Sequence, residues 1–180
     1  ATLAALHEAG AKAHFVHSDL ADTADQARVV AEVVSKCGTI DCLVNNAGVP
    51  SPARGDLLDV RTDAFDQVLD VNLRGTFLVA REVARGLIAA ERGGAIVNVS
   101  SIAAVIADRD EPTGHYNASK AGVVALTRQM AVEWADHLIR VNAVVPGVIE
   151  TLKVFTEKVE KRAAAAAWSE MPDSDRDSVS

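Results

Sequence analysis

Three short apolar bursts, each running into small or polar residues, constrain this chain most: CLVNN at Cys42–Asn46, AIVNVS at Ala95–Ser100 and RVNAVV at Arg140–Val145. Each is too short for a stable helix and reads as a strand, the first two as strands buried on both faces. Long stretches of helical periodicity lie between them. One runs from about Thr62 to Ala90, with Phe65, Val68, Leu69, Leu73, Phe77 and Leu78 at helical spacing, and another from about Gly114 to Ala135. Strands alternating with such helices call for an α/β fold, a parallel sheet with helices covering both faces.

The flanks follow the same alternation. Residues 1–9 look like the end of a helix stopped by Gly10, and Lys12–His17 reads as a short strand leading to Asp19. A helix is expected from Asp22–Thr23 to Cys37–Gly38, with Thr23 and Gln26 at capping-box spacing. The segment from Val49 to Gly55 is a loop rich in Pro, Ser and Gly, and Asp108, Arg109, Asp110 and Glu111 form a solvated loop. After Thr151 the character changes to a charged stretch, the alanine run Ala163–Ala167 and a polar, disordered tail. The expected division is therefore a body over residues 1–151 and an appendage over 152–180.

Composition excludes several classes. The net charge is −7 with no basic stripe, which argues against nucleic acid as a partner. No apolar run approaches the roughly 18 residues needed to span a bilayer, and Ala1–Gly10 has no leader-like pattern. The two cysteines, Cys37 and Cys42, match no metal or redox spacing, so buried thiols in a reducing cytoplasm are expected, and no metal site.

The chemistry concentrates at Tyr116-x-x-x-Lys120. Positions i and i+4 share a helix face, so phenol and ammonium can point into one site. A phenol titrates near about 10 in water, and a fixed cation beside it favours phenolate, which suits Tyr116 to exchange a proton with a carbonyl or alcohol oxygen. Small or polar residues also stand where the strands end, at Asn45-Asn46-Ala47-Gly48, Ser100-Ser101 and Pro146-Gly147. Ligands of parallel α/β sheets bind beyond those ends.

Taken together and in order, Asp19-Leu20, Asn45-Asn46-Ala47-Gly48, Asn72 in DVNLRGTF, Ser101 in IVNVSS, Tyr116-x-x-x-Lys120 and Pro146-Gly147 with Thr151 resemble the single-domain branch of the short-chain dehydrogenase/reductase family. The resemblance covers roughly residues 1–151. It implies a Rossmann-like doubly wound sheet, NAD or NADP as cofactor and an alcohol or carbonyl compound as substrate, of the 3-oxoacyl reductase or sugar/polyol dehydrogenase kind. It also implies that the full-length protein is a cytoplasmic homodimer or homotetramer. Tyr116 would be the general acid/base and would also contact the cofactor. Lys120 would assist it and bind the nicotinamide ribose, Ser101 would polarise the substrate oxygen, and Asn72 would hold a relay water. Asp19 and Leu20 would flank the adenine, Asn46, Ala47 and Gly48 the adenosine ribose, and Pro146, Gly147, Val148 and Thr151 the nicotinamide. Structural roles compete at some positions: Asn45 would tie adjacent strands, Ser100 would cap its strand, and His115 would be a feature of the helix N-terminus.

The sequence departs from the family pattern in lacking the glycine-rich turn that cradles the pyrophosphate at a helix N-terminus. By resemblance it begins in the helix after the family's second strand and omits the last strand. Such a chain is expected to open buried sheet edges, to be unstable alone and to bind cofactor poorly. The alternative function is accordingly an inactive member of the family that keeps only an assembly surface. The spacing from Ser101 to Tyr116 is also slightly longer than usual, with the extra length in the charged loop.

Overall fold

In the computed structural model the three apolar bursts pair side by side as one parallel sheet. The structure describes residues 2–52, 56–107, 109 and 112–149. The chain divides into two compact units, Ala1–Pro146 and Gly147–Ser180. Of the second, only Gly147, Val148 and Ile149 are described, all exposed. The first unit runs α1 (Thr2–Glu8), α2 (Asp25–Cys37), β1 (Cys42–Asn45), α3 (Thr62–Leu69), α4 (Thr76–Ala89), β2 (Gly94–Val99), α5 (Gly114–Glu133) and β3 (Ile139–Val144).

The sheet order is β1-β2-β3, with Leu43 opposite Ile96 and Ile96 opposite Val141. Consecutive parallel strands in this order need crossovers of one hand, and right-handed crossovers place α4 and α5 on the same face. That face carries the core: Ala80, Val83, Ala84 and Leu87, at i, i+3, i+4 and i+7 on α4, meet Ile96, Ile139, Val141 and Met130. The parallel sheet flanked by helices is a Rossmann-like α/β arrangement.

Four expectations are corrected. Lys12–His17 forms no strand, and Phe15 is 71% exposed. A strand exists only by pairing, and no described strand runs beside this segment. It is held instead by side chains of α1 and α2: His7 Nε2 lies 2.8 Å from the Ala13 carbonyl oxygen, Arg28 Nη2 donates to the His17 carbonyl (2.6 Å) and, just beyond the segment, Gln26 Nε2 donates to the Leu20 carbonyl (2.9 Å). The capping box does not form either: α2 starts at Asp25, and Gln26 is buried by its bond to Leu20. CLVNN is not covered on both faces. Val44 is 58% exposed and Cys42 is an exposed free thiol, because the described helices that pack on the sheet lie on one side of it. Cys37, the last residue of α2, is also an exposed free thiol, so neither cysteine is buried as expected.

The long helix at 62–90 also differs from a regular one. It is interrupted by a turn of π-helix at Asp70–Gly75, a feature that tends to mark functional positions. The Thr76 amide bonds to the Leu73 carbonyl, and the Thr76 hydroxyl donates to the Asn72 carbonyl (2.8 Å). At the end of this turn Gly75 meets Leu20: a Cβ at residue 75 would sit 2.8 Å from the Leu20 carbonyl oxygen. Gly75→Ala is therefore expected to push the Asp19–Leu20 segment away and to cost about 1–3 kcal/mol, the usual cost of overpacking, read as a lower urea midpoint.

Candidate functional site

The buried face of α5 is polar where it begins and apolar where it ends. His115, Ser119 and Lys120 are buried in its first two turns, and Val123, Thr127 and Met130 beyond them. Buried polar groups persist when they have partners, so the first half marks a built site. Lys120 Nζ donates to the Val99 carbonyl at the end of β2 (2.9 Å) and lies 5.7 Å from the centre of the Tyr116 ring. The i and i+4 spacing thus does bring cation and phenol together. Burial removes water from the Lys120 ammonium and lowers its pKa from the usual lysine value.

That shift has a consequence for stability. The folded chain binds the Lys120 proton less readily than the unfolded chain, so between the lowered pKa and the ordinary 10.5 stability rises with pH. Wild type is expected to gain on Lys120→Met as pH is raised from about 7 to about 10, a change in the difference of their urea midpoints. A constant difference would place the ammonium in solvent.

The strand ends close around this pair. Ser100 Oγ donates to the Lys120 carbonyl (2.8 Å) and the Ser100 amide to the Val144 carbonyl (2.9 Å), joining β2, α5 and β3. Ser101 caps a short 3-10 turn, Ile102–Ala104, that packs on α5, and its hydroxyl accepts from the Ala103 amide (3.2 Å). The Ile102 amide donates to the Pro146 carbonyl (2.8 Å), which fixes the end of β3. Asn45 does tie adjacent strands, its side chain donating to Asn98 Oδ1 (2.9 Å), and Asn98 Nδ2 passes the chain on to Thr127 (2.9 Å).

Asn72, in the π turn, is 1% exposed and grips the loop after β1. Its Oδ1 accepts from the Val49 amide (2.8 Å), and its Nδ2 donates to the Val49 carbonyl (2.9 Å) and to Ser119 Oγ (3.2 Å). Ser119 Oγ in turn donates to the Tyr116 carbonyl (2.7 Å). Asn46, Ala47 and Gly48 form the exposed lip of this loop. A Cβ at residue 48 would lie 3.1 Å from Asn72 Oδ1 and 3.4 Å from Lys120 Nζ, so glycine leaves open the space where those two groups converge.

Asp19 and Leu20 lie beside the π turn, with Asp19 exposed and its carboxylate accepting from the Ala21 amide (2.9 Å). Gly147 and Val148 belong to the second unit, and Thr151, the tail and most of the charged loop at 108–111 lie outside the described residues. Sequence reasoning missed Ser119, which joins Asn72 to the backbone of Tyr116, although a serine between Tyr116 and Lys120 on a buried face is a legible sign. It also left His115 as a helix feature. His115 is the second residue of α5, but it is buried and bonded to Ser51. Among the described residues no helix is long and apolar enough to cross a membrane.

A family model described as enoyl-(acyl carrier protein) reductase matches residues 1–176. The chain belongs to the short-chain dehydrogenase/reductase family. Among the proteins it resembles, a 3-oxoacyl-[acyl-carrier-protein] reductase of Thermotoga maritima is 44% identical over 144 residues, 80% of this chain and 56% of that protein. A gluconate 5-dehydrogenase from Burkholderia cenocepacia, solved with NADP and tartrate, matches with TM-score 0.77 and 34% identity, covering 85% of this chain and 58% of that one. An NAD⁺-bound xylitol dehydrogenase matches with TM-score 0.79 and 34% identity, over 89% and 60% of the two chains. This short-chain dehydrogenase/reductase sequence spans little more than half the length of the curated relatives it matches.

Proposed function

We propose that these residues are the proton-transfer centre of an NAD(P)-dependent oxidoreductase acting between an alcohol and its ketone. The observation that carries this reading is the convergence of Lys120 Nζ, Asn72 Oδ1 and the open position at Gly48 beside the Tyr116 ring. The nicotinamide, when bound, supplies or takes up the hydride. In the reducing direction Tyr116 donates its phenolic proton to the carbonyl oxygen, and the Ser101 hydroxyl holds that oxygen. Lys120 stabilises the phenolate left behind, and Asn72 and Ser119 keep the π turn and the start of α5 in register.

Asn46, Ala47 and Gly48 would line the adenosine ribose, Asp19 and Leu20 the adenine, and Pro146, Gly147, Val148 and Thr151 the nicotinamide end. Support for either cofactor is equal, since one resembled structure holds NADP and another NAD⁺. The reductase and polyol dehydrogenase relatives favour a 3-oxoacyl or sugar/polyol substrate. A second reading, a chain that serves only in assembly, draws on an open, largely apolar cleft lined by Leu69, Leu73, Arg74, Phe77 and Leu126, which suits a homodimer or homotetramer contact.

The deciding experiment is hydride transfer followed by nicotinamide absorbance, with NADH and NADPH against a panel of 3-oxoacyl thioesters, ketoses and simple ketones. Turnover with one of these classes, abolished in Tyr116→Phe, sustains the oxidoreductase reading. Absence of turnover from a folded chain that self-associates through the cleft favours assembly.

A further inference from the structure

His115 directly precedes Tyr116, is 1% exposed, and has no part in the proton chemistry above. Its Nε2 lies 2.8 Å from Ser51 Oγ, its ring stands 6.5 Å from that of Phe65, and its buried Nδ1 has no partner among the described residues. An imidazole buried with one nitrogen unpaired costs more than an apolar ring of the same size, so packing alone is a poor reason for it. What it adds is the bond to Ser51.

Ser51 stands in the run Val49-Pro50-Ser51-Pro52. The two prolines carry no amide hydrogen, which leaves this loop short of backbone donors. Side chains from the two neighbouring helical elements hold it instead. Asn72, from the π turn, clamps Val49 at both its amide and its carbonyl, and His115, from the first turn of α5, meets Ser51. The loop that carries Asn46–Gly48 is thereby tied to both elements that carry the proton relay.

We propose that His115 is a positioning residue, a latch that holds the loop after β1 against the first turn of α5 and thereby sets the affinity for the dinucleotide. The part concerning affinity rests on the function proposed above; the part concerning the loop does not.

The test uses Ser51→Ala, His115→Phe and His115→Gln, the last because a glutamine amide can reach the place of the imidazole Nε2. Amide hydrogen exchange at Gly48, Val49 and Ser51 is expected to quicken about tenfold in His115→Phe, the effect of losing one hydrogen bond, at least as much in Ser51→Ala, and to stay near wild type in His115→Gln. Because both variants break the Ser51–His115 bond, and Ser51 makes a further interaction that only its own substitution removes, the Ser51→Ala/His115→Phe pair is expected to exchange no faster than Ser51→Ala alone. In steady-state assays KM for the nicotinamide cofactor is expected to rise about fivefold with kcat within about twofold, a split that general destabilisation does not produce. Unchanged exchange in both single variants, or His115→Gln as fast as His115→Phe, overturns the latch. Faster exchange with an unchanged KM overturns its link to affinity. A wild-type protein without turnover counts against the proposed function, and the exchange results then judge the latch by themselves.

Discussion

Tyr116→Phe is expected to lower turnover by about 10²–10⁴-fold, the contribution of a positioned general acid, with the fold and the cofactor affinity retained. The Tyr116 ring is half-buried beside the Lys120 ammonium, and phenylalanine preserves that ring. The hydroxyl has no hydrogen-bond partner among the described residues, so its removal leaves no other group unsatisfied. The measurement is kcat at saturating substrate, with circular dichroism as the control for folding. A folded variant that keeps more than about a tenth of wild-type turnover removes Tyr116 from proton transfer, since a general acid of this kind contributes at least about 10²-fold.

Asn72→Ala is expected to have the second largest effect, and on two quantities at once. The side chain makes three hydrogen bonds, to the Val49 amide, the Val49 carbonyl and Ser119 Oγ. Alanine leaves the Val49 amide and carbonyl without these partners and takes one of two bonds from Ser119 Oγ, in a site with 1% exposure at residue 72, at an expected cost of about 2–4 kcal/mol in stability. The loop after β1 loses its clamp, so turnover should fall well beyond what the lost stability explains. Urea unfolding and steady-state kinetics on the same preparation separate the two. A variant with the wild-type midpoint would mean that water or a rearranged side chain replaces all three bonds.

Much of the fold was legible because its signals are local. CLVNN, AIVNVS and RVNAVV are too short and too apolar for anything but strands, and each was placed within about two residues, the normal uncertainty of element ends. The helical periods at 62–90 and 114–135 also hold, apart from the π turn. Polar residues on the buried face of α5 identified the site, since a tyrosine and a lysine one helical turn apart must share that face. Ser119 and His115 were less legible. A buried serine and a buried histidine look ordinary in sequence, and their partners Asn72 and Ser51 lie 47 and 64 residues away.

The sequence by itself determined the parallel α/β character, the positions of the three strands, and the pairing of Tyr116 with Lys120, because each depends on periodicity or spacing within one element. Tertiary structure alone decided the fate of Lys12–His17. That segment has strand-like composition, yet a strand is a relation between two chains of backbone, and here side chains of α1 and α2 hold it instead. It decided too that Cys42 and Val44 face outward, since burial of a strand face depends on where the crossovers pass. Last, it decided how the site is fastened: Asn72 on Val49, His115 on Ser51 and Gly75 against Leu20 are contacts between distant segments, and their energy comes from partners that no local pattern can name.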